Sequence, residues 1–175
     1  MNILTDKLPE SVVLKGKSYK INADFKTAVK ILSFAENNSG IKLLIYALKT
    51  FYVQLPESIE LAIEGMNSFY NFSPGRSGSG GGELFSLNKD ADLIFSSFMS
   101  QYGINLAEDN FHWYVFLALL KGLCGDNVFS KVVGIRSLDI SEIKDAKQKA
   151  YFSELKQKYS LSGALTIDEG LRRVF

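Results

Sequence analysis

Two side chains of this sequence could act as base, nucleophile or metal ligand near neutral pH: His112 and Cys124, each the single residue of its type. An imidazole can do such work, but a zinc site or a catalytic triad needs partner groups at fixed spacing. With one His and one Cys no such spacing exists, so no metal centre and no catalytic residue is expected. His112 is read instead as a residue of the fold or of a partner contact. Cys124 follows an apolar stretch and is read as a small buried hydrophobe. A lone cysteine cannot close an intramolecular disulfide, which fits a reducing, cytoplasmic setting.

Two further stretches invite a chemical reading. The loop "GRSGSGGGE" resembles a phosphate cradle, whose backbone N–H groups bind anions. A P-loop, however, places Lys and then Ser or Thr after its last glycine, on a strand-to-helix turn. Here Glu83 follows Gly82 and the pattern upstream is helical, so no nucleotide and no other cofactor is expected. The stretch 140–159 carries Lys144, Lys147, Lys149, Lys156 and Lys158, but Glu142, Asp145 and Glu154 are interspersed. It is read as a solvated face, with Tyr151, Phe152, Leu155 and Tyr159 forming a seam against the rest of the protein. Across the 175 residues, 20 Lys and Arg meet 19 Asp and Glu, a net charge of +1 that sets up no field toward nucleic acid or an anionic membrane.

The elements that must position these residues follow from periodicity. Residues 12–21, "VVLKGKSYKI", place two short β-prone runs around Lys15-Gly16-Lys17 and predict a small hairpin. Phe25, Ala28, Val29, Leu32 and Ala35 then recur at helical spacing, with Asn22 or Asp24 available as cap. After Ser39 and Gly40, Ile41, Leu44, Ile45, Leu48, Phe51 and Tyr52 mark a second helix. Pro56 suits the first turn of a third, whose stripe is Ile59, Ala62, Ile63, Met66, Phe69 and Tyr70. Residues 71–83 hold five of the 14 glycines and are expected to form a mobile loop within one fold. Ala91, Ile94, Phe95, Phe98 and Tyr102 mark a fourth helix ended by Gly103.

The fifth helix is "FHWYVFLALLKGL", opened by Asp109 or Asn110. Trp113, Tyr114, Phe116 and Leu117 wrap around it, so it is read as buried on several faces, with any open face more suited to a second chain than to a substrate. A short sixth helix spans about 127–134. The last long one runs from Asp139, whose spacing to Glu142 suggests a capping box, to Tyr159. The tail 160–175 has weak periodicity and its state stays open.

Together these give a mainly α fold: one helical-bundle domain over 1–159, of about six or seven helices, with a small N-terminal β-hairpin. The N-terminus lacks a secretory pattern, and the longest apolar run, 113–120, falls far short of the roughly 20 residues of a membrane span.

The segments "MNILTDKLPESVVLKGKSYKINADFKTAVK", "IYALKTFYVQLPESIELAIEGMNSFYNF" and above all "FHWYVFLALLKGLCGDNVFSKVVGIRSLDI" resemble the bacteriophage family named after gene product fifteen, found in long-tailed phages and prophages. The similarity covers residues 1 to about 159 and departs at the glycine-rich insertion and the tail. In that family the gene typically sits just ahead of the one for the tape measure protein. The resemblance therefore implies a tail assembly chaperone, acting in the cytoplasm of the bacterial host, that binds the tape measure protein without catalysis. It further implies contact with tail tube protein and self-association. His112, Trp113 and Arg136 are the candidate partner-binding residues it points to, serving the partner or the fold. The rival readings are a minor structural tail protein retained in the virion and a small enzyme of unknown reaction.

Overall fold

The computed structural model describes residues 2–71, 84–162, 164–165 and 167–174. The expected glycine-rich loop lies almost wholly outside them. The chain opens with β1 (Ser11–Leu14) and β2 (Lys17–Lys20), an antiparallel hairpin in which Leu14 faces Lys17 and Val12 faces Tyr19. Lys15 and Gly16 both take positive φ, 49° and 79°, the pair of left-handed residues that a two-residue type I′ turn demands. Val12, Leu14 and Tyr19 point inward and are buried, while Val13 points out, as a period of two requires.

Among the described residues eight α-helices follow: α1 (Phe25–Asn37), α2 (Gly40–Phe51), α3 (Ile59–Asn71), α4 (Ala91–Tyr102), α5 (Trp113–Lys121), α6 (Val128–Ser137), α7 (Ala146–Lys158) and α8 (Ile167–Val174). The mainly helical fold with its N-terminal hairpin is therefore as the periodicity indicates. Asp24 caps α1, its carboxylate accepting from the Thr27 N–H at 3.0 Å and the Thr27 hydroxyl at 2.8 Å. β1 packs on α3, α1 packs on α2 and α5, α4 on α6, and α8 on both α1 and α2. The segment whose periodicity left its state open thus ends in a helix that docks on the bundle.

Several helix boundaries differ from the sequence reading, and the starts differ because another residue satisfies the first amides. α3 starts at Ile59, where the Ser58 hydroxyl accepts from Leu61 N–H at 3.2 Å, and Pro56 lies buried in the turn before it. Neither Asp109 nor Asn110 caps α5. Asp109 instead closes its own turn by accepting from Asn105 N–H at 2.8 Å, and the cap is His112. α6 runs on to Ser137. Asp139 binds Ser141 N–H at 2.8 Å and holds only a 3₁₀ turn, Ile140–Glu142. The expected capping box is absent, and α7 begins later, with Asp145 accepting from Gln148 N–H at 2.7 Å.

The expected aromatic seam of α7 is also corrected. No residue of this helix is fully buried: Tyr151 is 58% exposed, and Phe152, Leu155 and Tyr159 are half-buried. α7 packs on α6 and the 3₁₀ turn at the margin of the bundle, which leaves its outer faces to solvent.

Candidate functional site

The N-terminus of α5 is zipped to that of α1. Trp113 N–H donates to Ala23 O at 2.7 Å and Phe25 N–H to Phe111 O at 3.0 Å, so Asp24 and His112 face one another in an antiparallel bridge. His112 closes this junction. Its Nδ1 accepts from Tyr114 N–H at 3.1 Å, which assigns the ring hydrogen to Nε2, 3.0 Å from Pro9 O. Burial pulls the imidazole below its ordinary value of 6.5, against opposing effects of the Pro9 carbonyl and the Glu10 charge. His112 is therefore a neutral cap that joins the N-terminal segment to the centre of the fold.

Trp113, 1% exposed, stacks on Phe116 with centroids 5.6 Å apart and meets Tyr70 edge-on. Phe116 in turn stacks on Phe25 at 4.9 Å and Phe98 at 5.4 Å. On another side Tyr114 stacks on Phe69, and its hydroxyl donates to Phe69 O at 2.6 Å. Burial pushes that phenol up to about 12. The all-round apolar character of α5 is thus absorbed by rings from α1, α3 and α4 of the same chain.

Arg136, in the last turn of α6, is equally enclosed. Its guanidinium meets Asp90 through two bonds, Nη1 to Oδ2 at 2.6 Å and Nη2 to Oδ1 at 2.7 Å. Nε donates to Tyr159 O at 2.6 Å and Nη1 also to Leu84 O at 2.9 Å. The two side chains are 8% and 2% exposed. One arginine therefore ties α6, the start of α4, the segment before it and the end of α7 together, using the planar fork that lysine lacks. Of the three candidate residues, Trp113 and Arg136 spend their chemistry inside the fold, and His112 is only partly accessible.

Beside α5 lies a feature that the sequence reading missed. An apolar groove of about 390 Å³ is lined by Phe85, Leu120, Leu123, Phe129 and Val133. Lys121 and Cys124 also border it. Cys124 is exposed, contrary to the buried position expected, because it lies in the turn after α5 where Gly125 takes φ 78°. The Ser130 hydroxyl, also in the lining, is buried without a hydrogen-bond partner. The i, i+4 pair Phe129 and Val133 was a visible signal, but which helix it faces was not.

Beyond the groove, α2 keeps Ile41 and Ile45 exposed one turn apart, and α4 keeps Phe95 and Met99 in the same arrangement. Among the described residues no His, Cys, Asp and Glu group of three or more is placed to hold a metal ion, and no helix is long and apolar enough to cross a membrane. A family model described as Bacteriophage Gp15 protein matches residues 4–161. Comparison with curated proteins and with solved structures finds no match.

Proposed function

We propose that this chain, which belongs to the Bacteriophage Gp15 protein family, is a non-catalytic tail assembly chaperone that binds the tape measure protein during tail morphogenesis. Family membership makes it a phage-associated protein, and the chaperone role rests on its surface. The observation that carries it is the pairing of exposed apolar side chains on helices whose inner faces already fill the core: Ile41 and Ile45 on α2, Phe95 and Met99 on α4. A pair one turn apart is half of the anchor pattern by which one helix recognises another. The groove between α5 and α6 supplies a further apolar strip. A long helical client, exposed before its tube forms, would be covered by many copies, each holding weakly and together holding well. Release then follows from competition by tail tube protein, with no bond made or broken. The setting of this work is the host cytoplasm.

Co-expression with the tape measure protein of the same phage tests the reading. The wild-type chain is expected to raise the soluble fraction of that protein, and an Ile45→Asp/Met99→Asp variant with an unchanged melting temperature is expected not to. Equal insolubility with and without the chain overturns the proposal. Recovery of the chain at fixed stoichiometry in purified particles replaces it with a structural tail role.

A further inference from the structure

We propose that the exposed outer face of the α1–α2 pair binds an acidic amphipathic helix. The inference deepens the chaperone reading and rests on it, since it names the chemistry of the client segment that this face would take.

Residues 25–51 hold four lysines, Lys26, Lys30, Lys42 and Lys49, against one carboxylate, that of Glu36. This segment is therefore distinctly cationic on a chain whose total charge is only +1. Lys26 is engaged within the fold, its Nζ donating to Ala107 O at 2.9 Å. Lys30, Lys42 and Lys49 are exposed, and among the described residues none of these three forms an ion pair.

The lysines frame an apolar strip. Lys42, Ile45, Tyr46 and Lys49 follow one another at i, i+3, i+4 and i+7, a ridge about 10 Å long on one side of α2. Ile45 is 45% exposed in the middle of it. Next to the ridge Phe34 of α1 stacks on Tyr46 with centroids 4.0 Å apart, and Lys42 Nζ lies 5.7 Å from the Phe34 ring. Lys30 stands one turn before Phe34 on α1. The chain's own α8 seats elsewhere on α1, at Leu32, Ala35 and Glu36, and leaves Lys30, Lys42, Ile45 and Lys49 exposed.

Those features select the occupant. Backbone groups inside a helix bond one another, so the ridge offers no free edge to an extended strand and suits a second helix packed ridge into groove. Lysines flanking an isoleucine are complemented by Glu or Asp flanking apolar anchors. A second copy of this chain, joined through the same face about a two-fold axis, would set lysines against lysines. A nucleic-acid strand needs open ring faces for its bases, whereas Phe34 and Tyr46 stack on each other.

The test uses the isotope-labelled full chain and two designed helical peptides. One carries leucines at i, i+3, i+4 and i+7 with glutamates at the remaining positions, and the other carries lysines in place of the glutamates. The glutamate peptide is expected to shift the amide resonances of residues 30–49 saturably, and the lysine peptide to bind at least tenfold more weakly. Lys30→Glu/Lys49→Glu, which keeps Lys42 beside Phe34, is expected to invert that preference. If this variant fails to fold, Lys30→Gln/Lys49→Gln takes its place and is expected to abolish it. Equal binding of the two peptides, or shifts confined to other elements, overturns the proposal. Oligothymidylate or phosphatidylserine vesicles that displace the glutamate peptide overturn it in favour of nucleic acid or an anionic membrane. Co-expression separates this inference from the chaperone reading. If the Lys30→Glu/Lys49→Glu chain keeps the tape measure protein as soluble as the wild type does, this face is overturned and the chaperone stands. If the wild type prefers the glutamate peptide but leaves the tape measure protein insoluble, the chaperone is overturned and the chemistry of the face stands.

Discussion

Around α5 the chain is held by stacked rings, whereas the end of α6, the start of α4 and the end of α7 are joined through the branches of one guanidinium. Phe25, Phe98, Trp113 and Phe116 share their faces, so the energy there is spread over many contacts and the region is expected to fail all at once. Arg136 gathers Asp90, Leu84 and Tyr159 at one point, so the α6–α7 arm is expected to fail locally. The difference teaches where stability is diffuse and where it is concentrated. A helix such as α7, with no buried residue, is held by bonds of this kind: Arg136 Nε to Tyr159 O and Lys156 Nζ to Leu138 O, each 2.6 Å.

The sharpest way to break this comparison is Trp113→Ala. Emptying so large a buried site is expected to cost about 4 kcal/mol, seen in urea denaturation as one cooperative transition shifted to lower midpoint. A change confined to part of the chain would contradict the diffuse core. Next comes Arg136→Met, which leaves the Asp90 carboxylate buried without its partner at a cost of about 3 kcal/mol. Hydrogen exchange should accelerate in α6 and α7 before α1 and α5. Adding Asp90→Asn should restore much of the protection, because the orphaned charge is then gone.

The smallest effect concerns His112, the hinge between the N-terminal segment and α5. The folded state holds the ring neutral, while the unfolded chain takes up its proton at the ordinary value of 6.5. Stability from this group is therefore complete above that value and falls as the pH drops through and below it, where protonated Nδ1 can no longer accept from Tyr114 N–H. Thermal melts between pH 8 and pH 5 should show the decline, and His112→Gln should flatten it. An unchanged slope in the variant would remove His112 from the account.

Much of this was legible along the chain. The hairpin was readable from Lys15-Gly16, since a left-handed pair between β-prone runs has few other uses, and Asp24 was readable as a cap three residues before Thr27. The start of α5 was not. Asp109 or Asn110 was the expected cap, but Asp109 binds its own turn, and the backbone bridge to Asp24 delivers His112 to the position instead. Cys124 was misplaced because an apolar run shows how much of a helix is buried but not where the chain turns away from the core. The groove beside α5 stayed hidden for a related reason: Leu120 and Phe129 are spaced like any core residues, and only their placement leaves a gap between them.

By itself the sequence determined the helical class, the hairpin and the apolar faces. These depend on local periodicity and residue type, which are fixed by covalent order. Only the tertiary structure decided that Arg136 serves Asp90, 46 positions away, that α8 fills the cleft of α1 and α2, and that Ile41, Ile45, Phe95 and Met99 remain uncovered. Those outcomes depend on which surfaces meet, a long-range choice that side-chain spacing along one helix does not encode.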